Sequence, residues 1–100
     1  MLLNSEDGLR YAKGLAKRLS LGGADPGPEE KAAFAAWVNR LFQETLGRDA
    51  AEDERRLAAE LTRRHREQYA SEGPAETALS RALVDLCRAV LNTNEFLYLD

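Results

Sequence analysis

Residues 29–46 read EEKAAFAAWVNRLFQETL. Phe34, Trp37, Val38, Leu41, Phe42 and Leu46 recur at steps of three and four, which puts them on one broad face of a helix. Pro28 ahead of Glu29 and Glu30 suits the opening turn, because proline lacks only an amide that a helix start leaves unpaired. Gly47 ends the pattern as a residue free to adopt the left-handed conformation. A helix with so wide an apolar face needs other surfaces to cover it.

The remaining chain offers three such surfaces. Leu9, Ala12, Leu15, Ala16 and Leu19 predict a helix over about 5–19, opened by Asn4 or Ser5 and by the acidic pair Glu6 and Asp7. Gly8 and Gly14 each weaken it by roughly 1 kcal/mol relative to alanine, so it needs its neighbours. A third helix is predicted over about 50–69, with Leu57, Leu61, His65 and Tyr69 four residues apart. Asp49 followed by Glu52 resembles a capping box at its start, and Glu52–Arg56, Glu60–Arg64 and Arg63–Glu67 are spaced as i,i+4 ion pairs. A fourth is predicted over about 76–92, with Leu79, Leu83, Leu86, Cys87, Val90 and Leu91 on one face. Asn92 and Asn94, which tolerate left-handed backbone, are expected to end it. Between these, SLGGADPGP (20–28) reads as a flexible connector and SEGPA (71–75) as a second break.

The closing residues LNTNEFLYLD (91–100) set Phe96, Leu97, Tyr98 and Leu99 side by side. Such a tail, either extended or coiled into a single turn, gains from burial, two of its side chains contributing ~3–5 kcal/mol before ordering. The expected fold is therefore all-α: a small four-helix bundle-like domain with an apolar C-terminal tail, residues 93–100, packed on it.

Composition narrows the function. Hydrophobic residues at 44% and charged residues at 31% describe an ordinary globular domain rather than a disordered chain. The net charge of −3 argues against nucleic acid and anionic membrane as partners. Residues 1–50 carry seven basic and seven acidic side chains and residues 51–100 carry seven and ten, an excess that serves solubility. Cys87 is the single cysteine, so neither an internal disulfide nor a thiolate metal cluster can form. No stretch approaches the ~20 apolar residues of a membrane span. MLLNSEDGLR has neither a basic leader nor an apolar run of signal-peptide length, and the compartment stays unknown.

LFQETLGRDAAEDERRLA (41–58) and ALVDLCRAVLNTNEFLYLD (82–100), with LLNSEDGLRYAKGLAKRLS (2–20), resemble the C-terminal module of planctomycete-type cytochrome-associated proteins, the "domain of unknown function 1553" family. The likeness lies in a Leu-Gly-Arg turn ahead of an acidic helix start and in a Leu-Asn-Thr-Asn-Glu-Phe close. It covers nearly the whole chain, with Ala50 and Ala51 standing where that family usually has a proline soon after the turn. The resemblance implies the closing part of a larger bacterial parent and leaves an extracytoplasmic setting open. It supplies no established reaction. Larger members carry a separate haem domain, but CxxCH is absent here, and no cofactor is expected.

Individual residues support little chemistry. His65, the one imidazole, could act as a general base with Glu60 or Glu67, but its place on an apolar spacing reads better as a packed boundary ring. Cys87 reads as a buried small hydrophobe. Arg55, Arg56, Arg63, Arg64 and Arg66 are interleaved with acidic residues and read as a solvated face. Trp37 is expected in the core, with a partner-facing patch as its alternative. Asn92, Asn94, Glu95, Phe96 and Tyr98 form the candidate interaction or tail-docking cluster. Phosphate loops, metalloprotease helices, EF-hand loops and nucleophile elbows are absent. The expected function is a non-catalytic module that packs on other domains of a parent or on a partner chain, with self-association open. The alternative is a wall of an enzyme whose catalytic residues lie elsewhere, to which Asn94, Glu95 and Tyr98 would contribute.

Overall fold

The computed structural model of the chain describes residues 5–92. Within them lie four helices: α1 (Ser5–Leu19), α2 (Lys31–Leu46), α3 (Glu52–Glu72) and α4 (Ala75–Leu91). Strands are absent among the described residues. The fold is an all-α, four-helix bundle-like domain. The tail, with Asn94, Glu95, Phe96 and Tyr98, lies outside the described residues.

Each helix boundary has a local cause. Glu6 and Asp7 open α1, and Lys17 and Arg18 close it, both matching the helix dipole. α2 starts at Lys31 rather than at 29, because Pro28 and Glu29 lie in a turn that Glu30 closes by donating its amide to the Gly27 carbonyl at 3.0 Å. Gly47 ends α2 with φ of 74°, the left-handed conformation expected of it. The start of α3 departs from the expected capping box. Its N-cap is Ala51, whose amide donates to Glu54 Oε1 at 2.7 Å, while Asp49 instead accepts from Gln43 Nε2 at 2.9 Å. Ala51 has no oxygen to return the bond, so only half of a capping box forms. α3 runs three residues beyond the expected end at 69, to Glu72. Asn92 closes α4 with its own amide on the Arg88 carbonyl at 3.1 Å, but with φ of −98°, not left-handed.

The core takes its bulk from three of the helices. Leu15 of α1, Trp37, Val38, Leu41 and Phe42 of α2, and Leu83, Leu86, Cys87 and Val90 of α4 are fully buried or nearly so. α3 packs most extensively against α4, which also carries α1 on its flank. The expected α3 stripe of Leu57, Leu61, His65 and Tyr69 is only half-buried, because the inner face lies one residue on, at Ala58 and Thr62. One residue of helix is about 100° of rotation, so a four-residue spacing alone leaves the stripe's centre uncertain by that much. Of the expected ion pairs on this helix, Glu60–Arg64 closes at 2.7 Å and Glu52–Arg56 at 3.8 Å, whereas Arg63–Glu67 does not form.

Two substitutions check this account by denaturant unfolding. Gly47→Ala should lower stability by ~1 kcal/mol, because a Cβ there meets open space and the whole effect is the left-handed backbone. Thr62 buries a hydroxyl that finds no partner among the described residues, so Thr62→Val should raise stability by ~1 kcal/mol.

Candidate functional site

A broad groove of about 800 Å³ lies between α1 and α4. Two helical stripes build it. Leu9, Lys13, Ala16 and Lys17 fall within two turns on one side of α1, and Arg81, Val84, Asp85 and Arg88 do the same on α4. The inner face of α4 is occupied with the core, so its outer face is free to line a groove. Ser20, Gly22, Gly23 and Asp25 of the α1–α2 connector form one end.

That connector was expected to be flexible, yet it is tied at several points. Trp37 Nε1 donates to Ser20 Oγ at 3.2 Å, and Ser20 Oγ donates to Asp25 Oδ1 at 2.5 Å. Arg40 caps the end of α1 with two bonds to the Leu19 carbonyl, at 3.3 and 3.1 Å. Pro26 and Gly27 are buried. Between these anchors Leu21 takes φ of 54° and is 73% exposed, an apolar side chain held outward on a backbone that leucine rarely adopts.

The polar centre of the α3–α4 contact is Asp85. Its Oδ2 accepts from Tyr69 Oη at 2.5 Å and lies 2.8 Å from His65 Nδ1. A carboxylate only accepts, so Nδ1 carries the hydrogen. The His65 and Tyr69 rings meet edge to face, with centroids 6.4 Å apart. Arg81 lies over the Tyr69 ring, 3.9 Å from its centroid. The bond to Asp85 is the main cause that raises the Tyr69 phenol above its ordinary value, with burial adding to it.

His65 was expected as a packed boundary ring, with Glu60 or Glu67 named only for the general-base alternative; the carboxylate at its Nδ1 is Asp85 of α4. Asp85 was missed. The signal available was a lone acid in ALVDLC (82–87), an otherwise apolar run, opposite a His-x-x-x-Tyr spacing that places two donors on one face. An oriented imidazole is one part of a general-base arrangement. A nucleophile is the part not found beside it: among the described residues, no serine, threonine or cysteine is hydrogen-bonded to His65. Cys87 is wholly buried, and burial pushes its thiol up to about 12. Among the described residues, no three His, Cys, Asp or Glu side chains stand together as a metal requires.

Trp37 lies in the core as expected, with a relative exposure of 0%, and its Nε1 donates to Ser20 Oγ. Asn92 ends α4 as expected of a cap, its Nδ2 on the Arg88 carbonyl at 3.1 Å. Asn94, Glu95, Phe96 and Tyr98 lie outside the described residues. The arginines read as a solvated face are largely that: Arg56, Arg64 and Arg66 pair with Asp53, Glu60 and Glu29. Arg66 holds the Glu29 carboxyl below its usual value, and Arg48, bidentate at 2.8 Å, does the same to Glu54. No described helix is long and apolar enough to cross a membrane.

The Tyr69–Asp85 bond sets a pH dependence with a definite sign. A raised phenol means the native chain holds its proton more tightly than the unfolded chain does. That stabilisation is intact below the ordinary tyrosine value of 10.0 and is lost as pH rises through the higher native value. Wild type should exceed Tyr69→Phe in stability at neutral pH, and the two unfolding curves should converge in strong alkali. In Asp85→Asn the phenolate absorbance of Tyr69 should rise at lower pH than in wild type.

No protein-family model, no curated protein and no solved structure matches the chain.

Proposed function

We propose that the chain is a non-catalytic helical interaction module of a bacterial protein, which seats a partner chain or a neighbouring domain in the α1–α4 groove. The observation that carries this reading is the groove itself. Its volume of about 800 Å³ lies within the ~300–1,000 Å³ range of ligand-binding pockets. Leu9, Ala16 and Val84 give it apolar contact surface. Exposed apolar surface on a well-packed domain is commonly a binding surface. The kinship suggested by the Leu-Gly-Arg turn and the closing residues belongs to the same proposal, with the chain as part of a longer parent. The turn itself has a structural explanation, since Gly47 caps α2 and Arg48 holds Glu54 at the start of α3.

A second reading, a wall of an enzyme site completed by other residues, has the Asp85-held His65 in its favour. The groove speaks against it, since Tyr69 and Asp85 line it but His65 does not.

The test uses the purified chain and Nile red, a neutral dye that reports apolar surface. The chain should enhance its emission, and Val84→Glu or Leu9→Ser should reduce that enhancement several-fold while the helical circular dichroism stays unchanged. A compact monomer that leaves the dye dark would remove the support for an interaction role.

A further inference from the structure

We infer that the occupant of the α1–α4 groove is an acidic peptide segment of a partner chain, one whose carboxylates alternate with aliphatic side chains; this rests on the interaction reading above.

The argument begins with charge. Lys13, Lys17, Arg81 and Arg88 all line the groove, against the two carboxylates of Asp25 and Asp85. A chain of net charge −3 therefore concentrates positive charge along one depression. Outside the groove, Arg18, Arg48, Arg56, Arg64 and Arg66 each hold a carboxylate, while Arg40 and Arg55 bond backbone carbonyls. None of the four groove cations forms an ion pair with a described residue, and Arg81 instead covers the Tyr69 ring. The groove's own carboxylates already have donors, Asp85 from Tyr69 and His65 and Asp25 from Ser20. Acidic residues elsewhere on the surface act weakly here, because the screening length is about 8 Å at physiological ionic strength. The groove thus presents cations that no described carboxylate pairs, beside apolar surface.

That pairing selects among anions. A single-stranded nucleic acid is held by an extended cationic track and open aromatic faces on which bases stack. Among the described residues, the one aromatic ring lining this groove is Tyr69, and Arg81 lies over it. Leu9, Ala16 and Val84 offer aliphatic contacts, which suit leucine-like side chains better than bases or a bare phosphate. A segment bearing both carboxylates and aliphatic groups satisfies the two chemistries at once.

The probe is a dye-labelled twelve-residue peptide of repeating Glu-Leu-Ser, titrated by fluorescence anisotropy into the full chain. Saturable binding is expected, weakened at least tenfold by Lys17→Glu with Arg88→Glu, and at least tenfold between low and high salt. Arg56→Glu with Arg64→Glu, on the exposed face of α3, should leave it within about twofold, a control with the same change in net charge. A peptide with lysine in place of glutamate should not bind. The inference is overturned by failure of the acidic peptide to bind, by equal affinity for the lysine peptide, or by tighter binding of a uridine dodecamer. It is overturned equally if a peptide copying residues 92–100 binds far more tightly, since the chain's own closing segment would then be the occupant. Nile red separates the two readings: dye binding without peptide binding keeps the interaction role and removes the acidic partner, whereas loss of both removes both.

Discussion

A buried indole has to place its N–H, and in this protein the need is met by one serine. Trp37 is wholly enclosed, so an unpartnered Nε1 would forfeit a hydrogen bond in the dry interior. Ser20 accepts that bond and passes its own hydrogen to Asp25. The relay fixes the exit from α1 relative to the middle of α2. It therefore sets where Ser20, Gly22, Gly23 and Asp25 stand, and these residues form one end of the groove. Core packing and surface shape are joined through a single side chain. Arg40 reinforces the junction by taking the Leu19 carbonyl that the end of α1 leaves open.

The second organising contact is between unequal helices. α3 is strongly polar and buries fully only Ala58 and Thr62, so hydrophobic burial alone ties it weakly to the bundle. Asp85 supplies a directional bond where apolar area is short, drawing His65 and Tyr69 of α3 onto α4. At the opposite end, Arg48 and Glu54 bracket the turn between α2 and α3, and Asn39 receives the Ala50 amide at 3.0 Å. The polar helix is thus pinned toward both ends as well as packed along α4. Exposed ion pairs such as Glu60–Arg64 contribute only tenths of a kcal/mol each and do not decide its position.

The fold was largely legible in the sequence because helical periodicity is a local property. Phe34 to Leu46 and Leu79 to Leu91 each show their buried face without reference to anything else. What escaped notice depends on residues far apart in the chain. His65 and Asp85 are twenty residues apart and Trp37 and Ser20 seventeen, and no spacing rule connects them. The connector at 20–28 reads as loose from its glycines and prolines, while its anchors come from Trp37 and Arg40. The groove was equally hidden. Lys13, Lys17, Arg81 and Arg88 look like ordinary solvated charges until α1 and α4 lie side by side.

Both faces of α4 are in use, and this restricts how the molecule can change. Leu83, Leu86, Cys87 and Val90 point into the interior while Arg81, Val84, Asp85 and Arg88 face the groove, around one short cylinder. A single residue added within this segment would turn everything beyond it by about 100°. Charges would swing inward and aliphatic groups outward, so folding and recognition would fail together. Length variation in related chains is therefore expected in the connectors, while this helix keeps its phase.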